Sequence, residues 1–202
     1  MIVIIDYGMG NLRSVQKAFE RVRIEAKICA DIENINKADK LVLPGVGHFQ
    51  QGINNLKNRG LFDLLNEMVL EKKKPIIGIC LGMQLMTEFS EEGNCNGFGW
   101  IKAQTQKFSF TGNGLKIPHM GWNNLAIRSN DSIYKYISHD NFFYFVHSYF
   151  VACENDSDIL AETEYGSKFV SSFHKENIFG CQFHPEKSHD KGLLILKNFA
   201  EM

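Results

Sequence analysis

The chain has 202 residues, 44% hydrophobic and 22% charged, as expected of an ordinary globular protein with a substantial core. Its 22 basic and 23 acidic residues leave a net charge of −1, and no basic surface for nucleic acid or an anionic membrane. No apolar run approaches the roughly 20 residues of a membrane span. Five cysteines, an odd number with no C-x-x-C pair, argue against a disulfide framework or zinc site and for reduced thiols in the cytoplasm.

One domain over residues 1–202 is expected, without internal repeats. Ile2–Ile5 reads as a buried strand rather than the start of a signal peptide. Gly8-Met9-Gly10 follows, but a dinucleotide-binding turn needs a third glycine where Arg13 stands. A tight turn with Asn11 capping the next helix fits better. That helix is Leu12–Val22, with Leu12, Val15, Phe19 and Val22 on one face. Ala26–Cys29 and Leu41–Leu43 read as strands. Two helical stretches then cross Ile53–Glu71, broken at Gly60. Ile76–Ile79 reads as a buried strand and Leu81–Phe89 as a helix.

Alternation of strand and helix implies a largely parallel sheet. Beyond Trp100 short strands dominate, around Ile101–Phe110, Phe143–Val151, Ile159–Thr163, Phe169–His174 and Ile178–Phe183, before a helix over Lys191–Glu201. The expected architecture is an α/β sandwich with an added antiparallel section.

Cys80 falls on the turn between strand and helix, with Gly78 and Gly82 on either side. This is a nucleophile elbow with cysteine in place of serine. Side chains at the flanking positions would collide, and glycine removes the collision. The amino end of a helix also favours thiolate over thiol. Near the other end, Gly180-Cys181-Gln182-Phe183-His184-Pro185-Glu186 delivers a histidine from a strand, with a carboxylate two residues on. A nucleophile needs a base and the base an orienter, and Cys80, His184 and Glu186 supply all three. Pro44-Gly45-Val46-Gly47 ends another strand in a loop suited to an oxyanion hole. Each piece has a plain alternative: a core cysteine, a satisfied core histidine, a simple turn. Their joint occurrence points to acyl transfer.

Those segments, with Asp6 to Asn11, Ser90-Glu91-Glu92-Gly93, Pro118-His119-Met120-Gly121-Trp122-Asn123, Phe143 to Tyr149 and Gln182 to Ser188, resemble the class I (triad) glutamine amidotransferases over nearly the whole chain. The P-H-M-G-W-N, F-V-H-S-Y and E-K-S segments resemble in particular the glutaminase subunits that serve a cyclase in histidine biosynthesis. The resemblance implies a three-layer sandwich with a mostly parallel central sheet. It implies a Cys80–His184–Glu186 triad, and an oxyanion hole from the N–H groups of Gly47 and Leu81. Gly45, Gln84, Glu92, Ser148 and Tyr149 match glutamine-binding positions. Glu92 suits an α-ammonium group, although alone it reads as a solvated acidic pair with Glu91. No cofactor or metal is implied.

The implied partner is a (β/α)8 cyclase subunit, joined in a heterodimer, through which ammonia reaches a phosphoribosyl intermediate. Asn11, Met120, Trp122, Tyr144 and Lys187 match its docking face; the lesser alternative for Trp122 and Tyr144 is that both are core aromatics. His48, Trp100 and Ala103 depart from the resembled pattern. Two other roles share these motifs: a paralogous glutaminase feeding amino-sugar synthesis for surface glycans, and a catalytically silent regulatory subunit.

Overall fold

Alternate side chains of the apolar run Ile2–Ile5 enter two different cores, because successive residues of a strand point to opposite faces. The computed structural model describes residues 1–110 and 114–202. The first half contains β1 (Ile2–Ile5), α1 (Leu12–Arg21), β2 (Ala26–Cys29), α2 (Ile32–Lys37), β3 (Lys40–Gly45), α3 (Phe49–Asn58), α4 (Leu61–Asn66), β4 (Ile76–Cys80) and α5 (Leu81–Leu85). Next come β5 (Thr87–Ser90), β6 (Cys95–Asn96), β7 (Ile101–Lys107), β8 (His119–Asn124), β9 (Ala126–Ile127) and β10 (Phe142–His147). The chain continues through β11 (Tyr149–Cys153), β12 (Ile159–Tyr165), β13 (Ser167–Lys175), β14 (Ile178–Cys181) and α6 (His189–Glu201).

Strands β2, β1, β3, β4 and β14 lie side by side and parallel. Antiparallel strands β13, β11 and β7 extend the sheet beyond β14, so the α/β architecture and its added antiparallel section are both present. Val15, Ala18 and Phe19 of α1 and Leu193, Leu196 and Phe199 of α6 cover one face with Ile2 and Ile4. Phe49, Ile53 and Leu56 of α3 and Leu61 and Leu65 of α4 cover the other with Val3 and Ile5. Three layers result, as strands buried on both faces require.

Four local readings differ from the sequence expectation. The helix after Cys80 ends at Leu85, not Phe89. Thr87 donates its hydroxyl to the Gln84 carbonyl at 2.8 Å, and its strand pairs parallel to β7. The single strand over Phe143–Val151 is two. β10 leaves the main sheet to pair with β8, and β11 returns to pair with β7 and β13. Helix α3 starts at Phe49, four residues before Ile53, while the break at Gly60 (φ 68°) stands. Asn11 precedes α1, but its side chain makes no capping bond.

The sheet puts three loops together. Gly45 ends β3 in register with Cys80, and Cys181 of β14 pairs with Ile79 on the other side. The carboxyl ends of three adjacent parallel strands therefore converge, the usual place for a site in such a sheet.

A β-carbon on Gly82 would lie 1.7 Å from the Leu43 carbonyl oxygen, with no flexible side chain to yield. Gly82→Ala is expected to lower stability in urea by about 3 kcal/mol or more, the upper end of overpacking costs. At Gly60 a β-carbon meets nothing within 4 Å. Gly60→Ala should cost only the left-handed backbone penalty, about 1–2 kcal/mol. Equal losses at both positions would remove close packing as the reason for Gly82.

Candidate active site

Cys80, the last residue of β4 and the residue that opens into α5, has φ 54° and ψ −112°, outside the regions an L-residue prefers. A β-carbon on Gly78 would lie 2.7 Å from the Gly82 carbonyl carbon, so both elbow glycines are sterically required. Leu81 opens α5, and the first N–H groups of a helix have no intrahelical partner. The Cys80 sulfur receives the Gln182 side-chain amide at 3.6 Å and lies 3.9 Å from the Val146 carbonyl oxygen.

The His184 turn is held from several sides. Its backbone N–H donates to the Tyr144 carbonyl at 2.9 Å. Ser188 donates its hydroxyl to the His184 carbonyl at 2.6 Å and accepts the Tyr144 N–H at 3.0 Å. Nδ1 of His184 lies 2.8 Å from Glu186 Oε1, and both side chains are buried. Among the described residues His184 Nε2 has no hydrogen-bond partner of good geometry. Burial opposes the imidazolium form, but neighbouring Cys80 and the Glu186 carboxylate outweigh it and push His184 up to about 10. Cys181, fully buried, goes the other way in function. Burial first, then Glu186 and Cys80, hold its thiol protonated.

A cleft of about 320 Å³ opens over Cys80. His184 and Glu186 are outside its lining, but Gly47, Leu81, Gln84, Glu92, Ser148 and Tyr149 line it with Cys80, so both residues expected at the oxyanion hole and four of the five expected to bind glutamine meet there. Gly45 does not. It is packed beneath, where a β-carbon would lie 2.5 Å from the Tyr7 hydroxyl. Gly47 has φ 109°, which suits glycine alone. Glu92 and Glu91 do not form a solvated pair. Glu92 accepts the Phe49 N–H at 2.8 Å and Glu91 accepts the Lys107 N–H at 2.7 Å. Both amide hydrogens of Gln84 are already committed, to the Tyr149 carbonyl and to Gln182 Oε1, each at 2.9 Å.

Sequence reasoning missed several residues here. Val46, Pro118, Val146 and His147 also line the cleft. Tyr7 is wholly buried, and burial, with the Cys80 charge added, raises its phenol far above its ordinary value. Gln182 was legible only as a polar residue in an otherwise buried strand end, a position that demands a partner. Ser188 carried no signal beyond its motif.

On the adjoining surface, Trp122 and Tyr144 face each other across the β8–β10 pair with ring centroids 5.9 Å apart. His189 stacks on Trp122 at 4.7 Å, and the Lys187 ammonium lies 5.6 Å from the centre of the Tyr144 ring. Met120 is 62% exposed and Trp122 45%, so neither is a core residue. Asn11 is exposed at the start of α1, which packs on the Pro185–Lys187 turn. His48 is exposed ahead of α3, whereas Trp100 stacks on Phe98 in the core and donates to Asn66 at 2.7 Å. Ala103 is fully buried.

The parallel sheet carries the elbow at Cys80 and its adjoining cleft, and the family model "Glutamine amidotransferase class-I" matches residues 3–202. The chain belongs to the class-I glutamine amidotransferases. It is 49% identical over its whole length to imidazole glycerol phosphate synthase subunit HisH 2 of Methanococcus maripaludis, covering 99% of that protein. It is 50% identical to subunit HisH 1 of Campylobacter jejuni and 45% to subunit HisH 2 of Pseudomonas aeruginosa, with complete coverage of each. The fold matches a glutamine amidotransferase crystal structure with TM-score 0.77 at 18% identity, covering 99% of this chain and all of that one. It also matches PurLQS of Thermotoga maritima with TM-score 0.76 at 18% identity, covering 99% and 97% of the two chains.

His184 should titrate near 10, well above the ordinary histidine value of 6.5. Because the folded value is raised, its contribution to stability is complete below about 6.5 and is lost as pH rises through about 10. Proton NMR of the imidazole ring, assigned by its absence in His184→Gln, measures this directly. Cys80→Ala should bring the midpoint down. A wild-type midpoint near 6.5 would show that thiol and ring are not coupled.

Proposed function

We propose that the chain is the glutaminase subunit of an imidazole glycerol phosphate synthase. In this reading it hydrolyses glutamine to glutamate and ammonia and delivers the ammonia to a (β/α)8 cyclase subunit in histidine biosynthesis. The observation that carries the chemistry is Cys80 at a strained elbow beside a buried His184–Glu186 pair on the neighbouring strand end. The full-length identity to three imidazole glycerol phosphate synthase subunits supports the pathway.

Cys80 attacks the carboxamide carbon of glutamine, and the N–H groups of Gly47 and Leu81 receive the oxyanion. His184 gives a proton to the departing ammonia, leaving a thioester on Cys80. The same imidazole then takes a proton from water as it attacks the thioester, releasing glutamate and regenerating the pair. Glu186 orients His184 and stabilises its charge. Glu92 receives the α-ammonium group, while Gln84, Ser148 and Tyr149 hold the rest of the amino-acid end, on the floor laid by Gly45.

Cys80→Ala should abolish glutaminase activity in the assembled synthase yet leave cyclisation intact when ammonia is supplied directly at high pH. Retained glutamine turnover would remove Cys80 as nucleophile. Glu186→Gln should lower turnover less than His184→Ala, and the double variant should be no worse than the worse single one, because triad members act as a unit.

The exposed cluster of Met120, Trp122, Tyr144 and Lys187, with Asn11 alongside, is the proposed docking face for the cyclase. Large aromatic anchors of this kind dominate binding energy. Trp122→Ala should weaken cyclase binding by about 2 kcal/mol or more, measured by calorimetry. Its free-subunit melting temperature should change little. Unchanged affinity would place the interface elsewhere. Docking should also raise glutamine turnover about 10²–10³-fold if it brings the Gly47 N–H into the oxyanion hole. Equal turnover of the free and complexed subunit at saturating glutamine would rule out that gating.

A further inference from the structure

Two buried polar groups outside the triad meet on one backbone carbonyl. The Tyr149 oxygen lies 2.8 Å from His147 Nδ1 and 2.9 Å from Gln84 Nε2. A carbonyl only accepts, so both nitrogens donate. That fixes the direction of every bond beyond them. Burial pushes His147 down to about 3 despite its bond to Tyr149, and pushes His119 down to about 4, so each ring is neutral near pH 7. With its proton on Nδ1, His147 accepts at Nε2, and His119 Nδ1 donates to it at 3.0 Å. His119 Nε2 then accepts from Asn123 Nδ2 at 3.4 Å, and that amide is oriented by its second bond, to the Glu164 carbonyl at 3.0 Å. On the other side, Gln84 donates its second hydrogen to Gln182 Oε1 at 2.9 Å, which turns Gln182 Nε2 toward the Cys80 sulfur at 3.6 Å.

We propose that Gln182 and His147 are positioning residues for the reaction, two arms of one directed hydrogen-bond chain pinned at the Tyr149 carbonyl. The Gln182 arm ends as a donor on the nucleophile. A donor to sulfur favours the thiolate over the thiol. The His147 arm fixes the Ser148–Tyr149 wall of the cleft from behind and ties it to β8 through His119 and Asn123. The arms therefore have separable effects: one acts on the reacting atom, the other on the surface that receives substrate. This rests on glutamine hydrolysis as the activity of the site.

The test uses the full-length chain, assembled with the cyclase for turnover and alone for alkylation of Cys80 by iodoacetamide, read by peptide mass. Gln182→Met should slow alkylation at pH 7 and lower kcat, each by about tenfold or more, with KM within about twofold, because a hydrogen bond to a charged group is lost. Gln182→Glu keeps the shape but sets a carboxylate against the sulfur, and should slow alkylation at least as much. His147→Phe should raise KM for glutamine by about tenfold while kcat and alkylation stay within about twofold. His147→Asn should restore KM, because its amide nitrogen takes the place of Nδ1. Wild-type alkylation in folded Gln182→Met or Gln182→Glu overturns the proposal. So does a His147→Phe variant with unchanged KM, or activity losses in all variants that only track a lower folded fraction. If the wild-type complex hydrolyses no glutamine, the functional reading fails, whereas the alkylation arm still decides whether Gln182 acts on the sulfur.

Discussion

Holding Cys80 at φ 54° costs on the order of 1–3 kcal/mol, and the residue stays there because its neighbours leave it no alternative. The Ile76–Cys80 strand is paired on both sides, with β3 and with β14, so it cannot shift to relieve the turn. Helix α5 begins at the next residue and lies so close to β3 that Gly82 touches the Leu43 carbonyl. Strain at one residue is thereby distributed over three strands and a helix. The return is a sulfur standing at the mouth of the cleft, beside the first free N–H groups of α5.

Around that sulfur, histidine appears in two electrostatic states. His184 lies beside Cys80 and the Glu186 carboxylate, which raise it against the effect of burial and favour its charged form. Among the described residues, the polar partners of His147 and His119 are a carbonyl, an amide and each other, and burial keeps them neutral. The proximity of His184 itself pushes His147 further from protonation. Of these three imidazoles His184 alone favours the charged form, and the cleft wall presents fixed dipoles instead.

Much of this was legible in the sequence where one local rule dominates. The Gly78-x-Cys80-x-Gly82 spacing shows the elbow because the steric demand falls within five residues. The buried runs Ile2–Ile5 and Ile76–Ile79 read as strands because every position is apolar. Leu81–Phe89 misread as one helix because its end is set by a strand it meets only in three dimensions, β7, and by the Thr87 hydroxyl turning back on Gln84. Phe143–Val151 misread as one strand for the same reason: its two halves serve different sheets. The role of Gln182 was hidden because its partners lie 98 and 102 residues away. Periodicity shows that a polar side chain is buried, but not what satisfies it.

The sheet order has a further consequence, for the chain as it is made. β4 carries Cys80, but the strand that closes over its edge and leads into His184 is β14, the last of the described strands in the sequence. At ribosomal speeds of about 5–20 residues per second, roughly 5–20 s separate the emergence of Cys80 from that of His184. Through that interval one edge of an apolar strand has no neighbour, and such an edge pairs readily with other chains. A nascent chain stalled before β14 thus lacks the His184–Glu186 pair and is prone to aggregate, and arrival of one strand ends both conditions together.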